Sequence, residues 1–208
     1  MFKSLLYRDL NLAYYTSSNF IFSGSFFLLI IILVPFVIDV DTLNLKSVFM
    51  GLVWIGLILS LLLTFDRIFS SDLDDGNLDI ILKMDISYEM IFLSKLLSIW
   101  IIHCLPIIII VPIVSLLFNL SINENIFITI NLFCGSFGMC ATAIGINALL
   151  MGLKRMIYLK GIIIIPLYVP FIIFGTEQGS WPVLSALSMI AIVVSSFATS
   201  YGLRLYGE

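Results

Sequence analysis

The chain has 208 residues, 61% of them hydrophobic and only 11% charged, with a mean hydropathy of +1.18, whereas soluble domains carry about a quarter charged residues. One water-facing core cannot hide that much apolar surface, which excludes an ordinary soluble domain. The net charge of -3 says less than the placement of the charges.

Apolar runs this long and this free of charge are the pattern of membrane-spanning helices. Barrel strands would instead alternate apolar and polar over segments of about ten residues. At the N-terminus Phe2, Leu5, Leu6, Leu10 and Ala13 follow helical spacing while Lys3, Ser4, Arg8, Asp9 and Asn11 fill the opposite face. This predicts an amphipathic helix lying in the membrane interface within residues 1–19. With a polar stretch ahead of the first apolar run and no small-residue cleavage site behind it, this end reads as retained rather than as a signal peptide.

Runs of about 20 apolar residues then place six spans at 20–38, 48–65, 97–118, 126–150, 156–174 and 181–203. The fifth becomes continuously apolar only from Gly161, so Lys160 is expected to reach for the headgroups along its aliphatic stem. An even number of passes puts both termini, the 66–96 segment and the 151–155 loop on one side. Lys3, Arg8, Arg67, Lys83, Lys95, Lys154, Arg155, Lys160 and Arg204 fall there, and Lys46 falls opposite. That bias marks a cytoplasmic face. The fold class is therefore an all-α, polytopic membrane protein forming a single transmembrane domain over 1–208, with an interfacial N-terminal helix and a cytoplasmic segment.

Inside the spans the chemistry is sparse. Every Asp and Glu lies outside them, which argues against a proton-coupled carrier, since such carriers place ionisable groups near the midplane. His103 is the sole histidine and cannot build a bis-histidine haem site alone. Near Pro106, whose ring removes a backbone donor, it reads as an interhelical hydrogen-bonding group. Cys104, Cys134 and Cys140 form no CxxC pair and read as buried small hydrophobes. No nucleophile–base pair or carboxylate pair for intramembrane hydrolysis is legible. The 175–179 stretch lacks the Lys-Ser or Lys-Thr of a phosphate-binding loop, and no basic patch interleaved with aromatics suggests nucleic acid. No catalytic, metal or directly bound cofactor site is expected.

Two packing features stand out. Cys134, Gly138, Ala141, Gly145, Ala148 and Gly152 form a small-residue stripe that admits a close neighbouring helix. Pro106 and Pro112 in the third span, with Pro166 and Pro170 in the fifth, are candidate helix bends.

The only sizeable polar stretch is 66–96. Asp72, Asp74 and Asp75 lead into Gly76, which can take positive φ and turn the chain. Leu78, Ile81 and Leu82 then have helical spacing, and Ser87 ahead of Glu89 gives a capped start to a helix running through Lys95 into the third span. The acidic run does not fit a calcium loop, because its glycine stands fifth rather than sixth and Lys83 occupies the twelfth place. A solvated acidic turn and a partner-docking element both remain open on these residues.

The stretch Ile68-Phe-Ser-Ser-Asp-Leu-Asp-Asp-Gly-Asn-Leu-Asp79, followed by Lys95, Trp100, Leu105-Pro106 and Pro112, resembles the second loop and third helix of the cytochrome c maturation protein B (CcmB, haem exporter protein B) family. Gly152-Leu-Lys-Arg155, Pro166-Leu-Tyr-Val-Pro-Phe-Ile-Ile-Phe174 and Ser196-Phe-Ala-Thr199 are similar to its fourth loop, fifth helix and sixth helix. Ile99 departs from the family's pattern of a histidine before the tryptophan, and Met156-Ile157 from its two glycines. The first departure argues against a haem-ligating histidine at that position.

The resemblance implies the permease subunit of an ABC-type complex in the bacterial or mitochondrial inner membrane, with haem as a handled species rather than a bound cofactor. It implies partners that are a CcmA-like ATPase and CcmC-, CcmD- and CcmE-like membrane proteins, with ATP hydrolysis on the ATPase and not on this chain. In this reading Asp72, Asp74, Asp75, Gly76, Leu78 and Leu82 form the coupling element. The competing readings are an ABC-2 type export permease for a lipid, polysaccharide or drug, and a non-transport membrane scaffold.

Overall fold

The structure is a computed structural model that describes residues 2–15, 18–37, 45–65, 68–84, 86–118, 120–151 and 157–207. Among the described residues every regular element is helical: α1 (Phe2–Tyr15), α2 (Ser18–Val37), α3 (Leu45–Phe65), α4 (Ser70–Asp74), α5 (Asn77–Lys83), α6 (Tyr88–Ile99), α7 (Leu105–Val114), α8 (Ile122–Leu149), α9 (Ile157–Gly175) and α10 (Trp181–Gly207). A π-turn over Trp100–Cys104 joins α6 to α7, and a 3-10 turn over Ser115–Phe118 ends the composite third helix. Three of these helices, Tyr88–Phe118, Ile122–Leu149 and Trp181–Gly207, are long and apolar enough to cross a bilayer. Shorter apolar stretches at Gly24–Leu33, Val48–Thr64 and Lys160–Gly175 overlap the other three expected spans. The chain is thus a polytopic all-α membrane protein. Arg67, Gly152, Lys154, Arg155 and Met156 lie outside the described residues.

Side-chain contacts fix the relative directions of the helices. Phe49 packs on Phe118 with ring centroids 4.6 Å apart, while Ser60 and Thr64 meet His103, so α3 runs antiparallel to the third helix. Along α8 and α9, Lys160 meets Asn147, Tyr168 meets Met139 and Asn131 meets Gly175, an antiparallel pairing. Between α8 and α10 the numbers rise together, since Gly138 faces Ser188, Gly145 faces Ser195 and Gly202 faces Ala148. These two helices are therefore parallel, as two passes with one return between them must be.

The small-residue stripe explains the closeness of that crossing. A Cβ built on Gly202 would lie 2.5 Å from the Ala148 carbonyl oxygen, and one on Gly145 would lie 3.0 Å from Ser195 Cβ. Backbones that approach this far leave room only for glycine on one side. Ser188 Oγ donates to the Cys134 carbonyl at 2.7 Å along the same seam. Trp54 of α3 fills a slot made by two more glycines, as a Cβ on Gly175 or Gly135 would fall on its ring.

The start of α8 is a capping box that the sequence analysis did not single out, although Ser121 and Glu124 have its spacing. Ser121 Oγ accepts from the Glu124 N–H at 3.4 Å and Glu124 Oε2 accepts from the Ser121 N–H at 2.8 Å. The two satisfy orphan donors of the first turn. At the end of α9, Asn131 Nδ2 donates to the Gly175 and Glu177 carbonyls, each at 3.1 Å. Ser180 Oγ donates to the Phe174 carbonyl.

The four prolines behave differently from one another. Pro106 lies two residues past the π-turn and Pro112 three residues before the 3-10 turn, so both flank the places where the third helix departs from α geometry. A π-turn widens the helix, and proline removes a rung from its ladder. In α9 the helix continues as α through Pro166 and Pro170.

Candidate functional site: a charge-locked acidic turn

The short helices α1, α4 and α5, the start of α6 and the end of α10 gather at one end of the bundle, where Leu82 lies 3.8 Å from a Cβ built on Gly207. The acidic turn sits here for local reasons. Ser70–Asp74 closes one helical turn, the Asp75 N–H bonds the Ser71 carbonyl at 3.1 Å, and Gly76 takes φ +68° to redirect the chain into α5. That left-handed conformation strains a residue bearing a Cβ, and this is the reason for glycine, since nothing lies within 4 Å of a Cβ built there. In α5, Leu78 and Ile81 are buried and Leu82 is half-buried, the apolar face expected from their spacing.

The residues expected to form one coupling element divide into two groups. Asp74, Asp75 and Gly76 are exposed at the tip, joined by Asp79 and by the apolar side chains of Ile80 and Met84. Asp72 and Leu78 are 1% and 0% exposed and point inward. An acidic side chain followed by a turn reads as solvated, and only a partner elsewhere in the chain could overrule that reading.

The partner is Lys95 of α6, whose Nζ lies 2.5 Å from Asp72 Oδ2 and 3.1 Å from the Ile68 carbonyl. It also stands 4.9 Å from the centroid of the Phe69 ring, within range of a cation–π contact. Arg8 of α1 reaches Asp72 Oδ1 at 3.6 Å and Asp9 Oδ1 at 2.6 Å. Ser94 Oγ donates to Asp9 Oδ2 at 2.5 Å. Two carboxylates and two cations thus form a cluster of zero formal charge that links α1, α4 and α6. Asp9, Asp72, Ser94 and Lys95 are all buried. Removing one member of a buried pair strands its partner, at a cost of about 3–5 kcal/mol.

By its spacing Asp9 belongs to the polar face of α1, yet it is 4% exposed. The signal was present, because Asp9 stands four residues after the buried Leu5, on the same stripe. For Lys95 the signal was a lone cation between Phe92, Leu96 and Ile99, all buried. The expected Ser87 cap is corrected: Ser87 has the extended backbone of an N-cap, but its side chain makes no capping bond. Lys160 is corrected as well, since it is half-buried and its Nζ donates to the buried Asn147 amide at 2.9 Å instead of serving only the headgroups.

His103 makes the interhelical contacts expected of it, with Nε2 2.9 Å from Ser60 Oγ and Nδ1 3.4 Å from Thr64 Oγ1. Cys104 and Cys140 are buried in contact, sulfur to sulfur 3.3 Å, and Cys134 is half-buried. Trp100 donates from Nε1 to Ser136 Oγ at 2.8 Å and stacks on Phe137 at 4.2 Å, which fastens the π-turn to α8. No group of three or more metal-ligating side chains occurs among the described residues.

Beside the turn, Ser4, Leu5 and Arg8 of α1 with Asn77, Ile80 and Ile81 of α5 line a groove of about 350 Å³, closed by Met84 and Ile86. Its lining is mostly apolar, and the exposed carboxylates of Asp74, Asp75 and Asp79 belong to the same short segment.

The family model described as CcmB protein matches residues 1–206. Heme exporter protein B of Paracoccus denitrificans is 31% identical, over 98% of this chain and 98% of its own. The Haemophilus influenzae protein of that name is 30% identical, over 99% and 98%. The Bradyrhizobium diazoefficiens one is 29% identical, over 97% and 96%.

Proposed function

Since the chain belongs to the CcmB protein family, we propose that it is the membrane subunit of a haem-handling complex in cytochrome c maturation, driven by a separate ATPase. The full-length match to proteins named heme exporter protein B carries the haem assignment. In this reading the chain crosses the inner membrane six times, with both termini and the acidic turn facing the cytoplasm where ATP is. It hydrolyses no nucleotide, and its partners are a CcmA-like ATPase and CcmC-, CcmD- and CcmE-like membrane proteins.

The turn is the docking element because it joins exposed acids to exposed apolar side chains on a short helix. An ATPase subunit would seat an apolar side chain in the α1–α5 groove and present cations to Asp74, Asp75 and Asp79. Desolvated apolar contacts supply most of the affinity in such an interface, and charges steer the encounter. Nucleotide-driven motion of the partner would then reach the third helix as a rigid-body displacement.

Leu78 is a poor probe of this docking, because it is fully buried and its loss would unfold α5. Better variants are Ile80→Asp and the pair Asp74→Lys, Asp75→Lys, all at exposed positions. Each is expected to reduce co-purification of the ATPase subunit and ATP-dependent release of the haem chaperone while leaving the membrane level of the chain unchanged. Wild-type values for both measurements would remove the docking assignment. Retention of all c-type cytochromes after deletion of the chain would remove the haem assignment.

A further inference from the structure

Resting on the docking reading, we infer that Lys95 is a positioning residue. From the third helix it holds the acidic turn in the one orientation that a partner can grip. The turn is flanked by the buried Phe69 and Leu78, and its own Asp72 carboxylate is buried with them. It is one helical turn and a left-handed glycine, its tip exposed. Its base is gripped at two points by a single ammonium: Lys95 Nζ bonds the Ile68 carbonyl, just before α4, and the Asp72 carboxylate within it.

Both bonds are buried, and Lys95 is 6% exposed, so water does not compete for them. A lysine stem is flexible, but three donors on one nitrogen can satisfy a carbonyl and a carboxylate together and fix the angle between them. Arg8 supports the same carboxylate from α1 at 3.6 Å, beyond hydrogen-bonding distance, and so biases the turn without fixing its geometry. Lys95 lies on the helix that would have to respond to the partner, five residues before the π-turn at Trp100. One side chain therefore both sets the turn and joins it to that helix.

A structural role and a positioning role separate in the double variant Asp72→Leu, Lys95→Met. It strands no buried charge and fills similar volume, so the bundle folds; a merely structural ion pair would be replaced at no loss of partner binding. A positioning role predicts that the turn stays loose, because neither the carbonyl nor the side chain at residue 72 is held. If the grip-competent orientation falls to about a tenth of the population, apparent affinity for the ATPase subunit falls about tenfold.

The test uses the full chain in lipid nanodiscs. A spin label is placed at Asp75→Cys, in a background where Cys104, Cys134 and Cys140 are alanine. Label mobility is read without any partner, and affinity for the purified ATPase subunit is read on the unlabelled chain, which keeps Asp75. We expect the double variant to melt like its parent, to show a more mobile label, and to bind the ATPase subunit about tenfold more weakly. Unchanged mobility or unchanged affinity in a normally melting double variant overturns the positioning role. The single variant Lys95→Arg, which keeps a cation against Asp72, is expected to restore most of the immobilisation, and failure to do so counts equally against it. If the parent protein itself does not bind the ATPase subunit, the docking reading fails, whereas the mobility result still decides whether Lys95 holds the turn.

Discussion

Ser94→Ala tests whether α1 is fastened to the bundle by the buried cluster or merely rests on it. The hydroxyl of Ser94 donates to Asp9 Oδ2 at 2.5 Å, and both residues are buried, at 0% and 4% exposure. A hydrogen bond to a charged group contributes about 1.5–3 kcal/mol, and a buried acceptor finds no water to replace it. Alanine is a better helix former than serine by roughly 0.5 kcal/mol, which offsets a small part of that loss within α6. The net expectation is a loss of about 1–2.5 kcal/mol in the free energy that holds α1 down. Arg8, at 2.6 Å from Asp9 Oδ1, keeps Asp9 from being stranded and holds the value in that range. Native-state hydrogen exchange in nanodiscs reads the change locally. Protection of the α1 amides should fall about tenfold for each 1.4 kcal/mol, while the α8 amides keep theirs. Combining Asp9→Ala with Ser94→Ala should give a combined loss smaller than the sum of the two singles, by roughly 1.5 kcal/mol, since residues in one buried network couple. Strict additivity, or unchanged α1 protection in Ser94→Ala, would refute the reasoning.

Backbone geometry and helix capping carry the other expected outcomes. Gly202→Ala places a methyl 2.5 Å from the Ala148 carbonyl oxygen, and backbone cannot step aside as a side chain can. Overpacking of about 1–3 kcal/mol should lower the melting temperature by about 2–4 °C per kcal/mol. Gly51→Ala, in α3 with nothing within 4 Å, should instead hold or raise it. Gly76→Ala should cost about 1–2 kcal/mol for its positive φ, whereas Gly76→Asn should cost less, since asparagine enters that conformation more readily; proteolysis at the turn distinguishes them. Ser121→Ala removes the capping box and should cost about 1 kcal/mol in thermal unfolding, with hydrogen exchange rising in the first turn of α8 and nowhere else.

Hydropathy alone located the apolar helices, because lipid leaves the chain no alternative to satisfying its backbone internally. Spacing alone also located the close crossing, since Gly138, Gly145 and Ala148 lie on one face of α8 whatever helix comes to meet it. That the neighbour is α10, running parallel, could not be read, because many apolar faces would serve and the choice depends on where Ser188, Ser195 and Gly202 happen to align. At the acidic turn the limit is sharper. Gly76 announced a positive φ from local chemistry, but Asp72 and Asp74 are the same residue type two positions apart, one 1% exposed and the other exposed. Nothing local separates them. The difference is made by Lys95, 23 residues further on, and pairing over that distance is decided by tertiary geometry rather than by pattern.

The cluster also limits what this end of the bundle can do electrostatically. Arg8, Asp9, Asp72 and Lys95 cancel one another, so their charges contribute little to the field a partner meets outside. What remains on the segment is the exposed acidity of Asp74, Asp75 and Asp79, next to Ile80 and Met84. Stiffness is divided in a corresponding way. Glycine-tight contacts bind α8 to α10, whereas the third helix changes from α to π at Trp100, meets Pro106, and ends beyond Pro112 in a 3-10 turn. Each departure weakens the hydrogen-bond ladder that resists bending. The helix that grips the acidic turn is therefore also, among the described residues, the one long helix with interrupted α geometry, and a displacement entering at Lys95 would meet its first soft point little more than one turn further along.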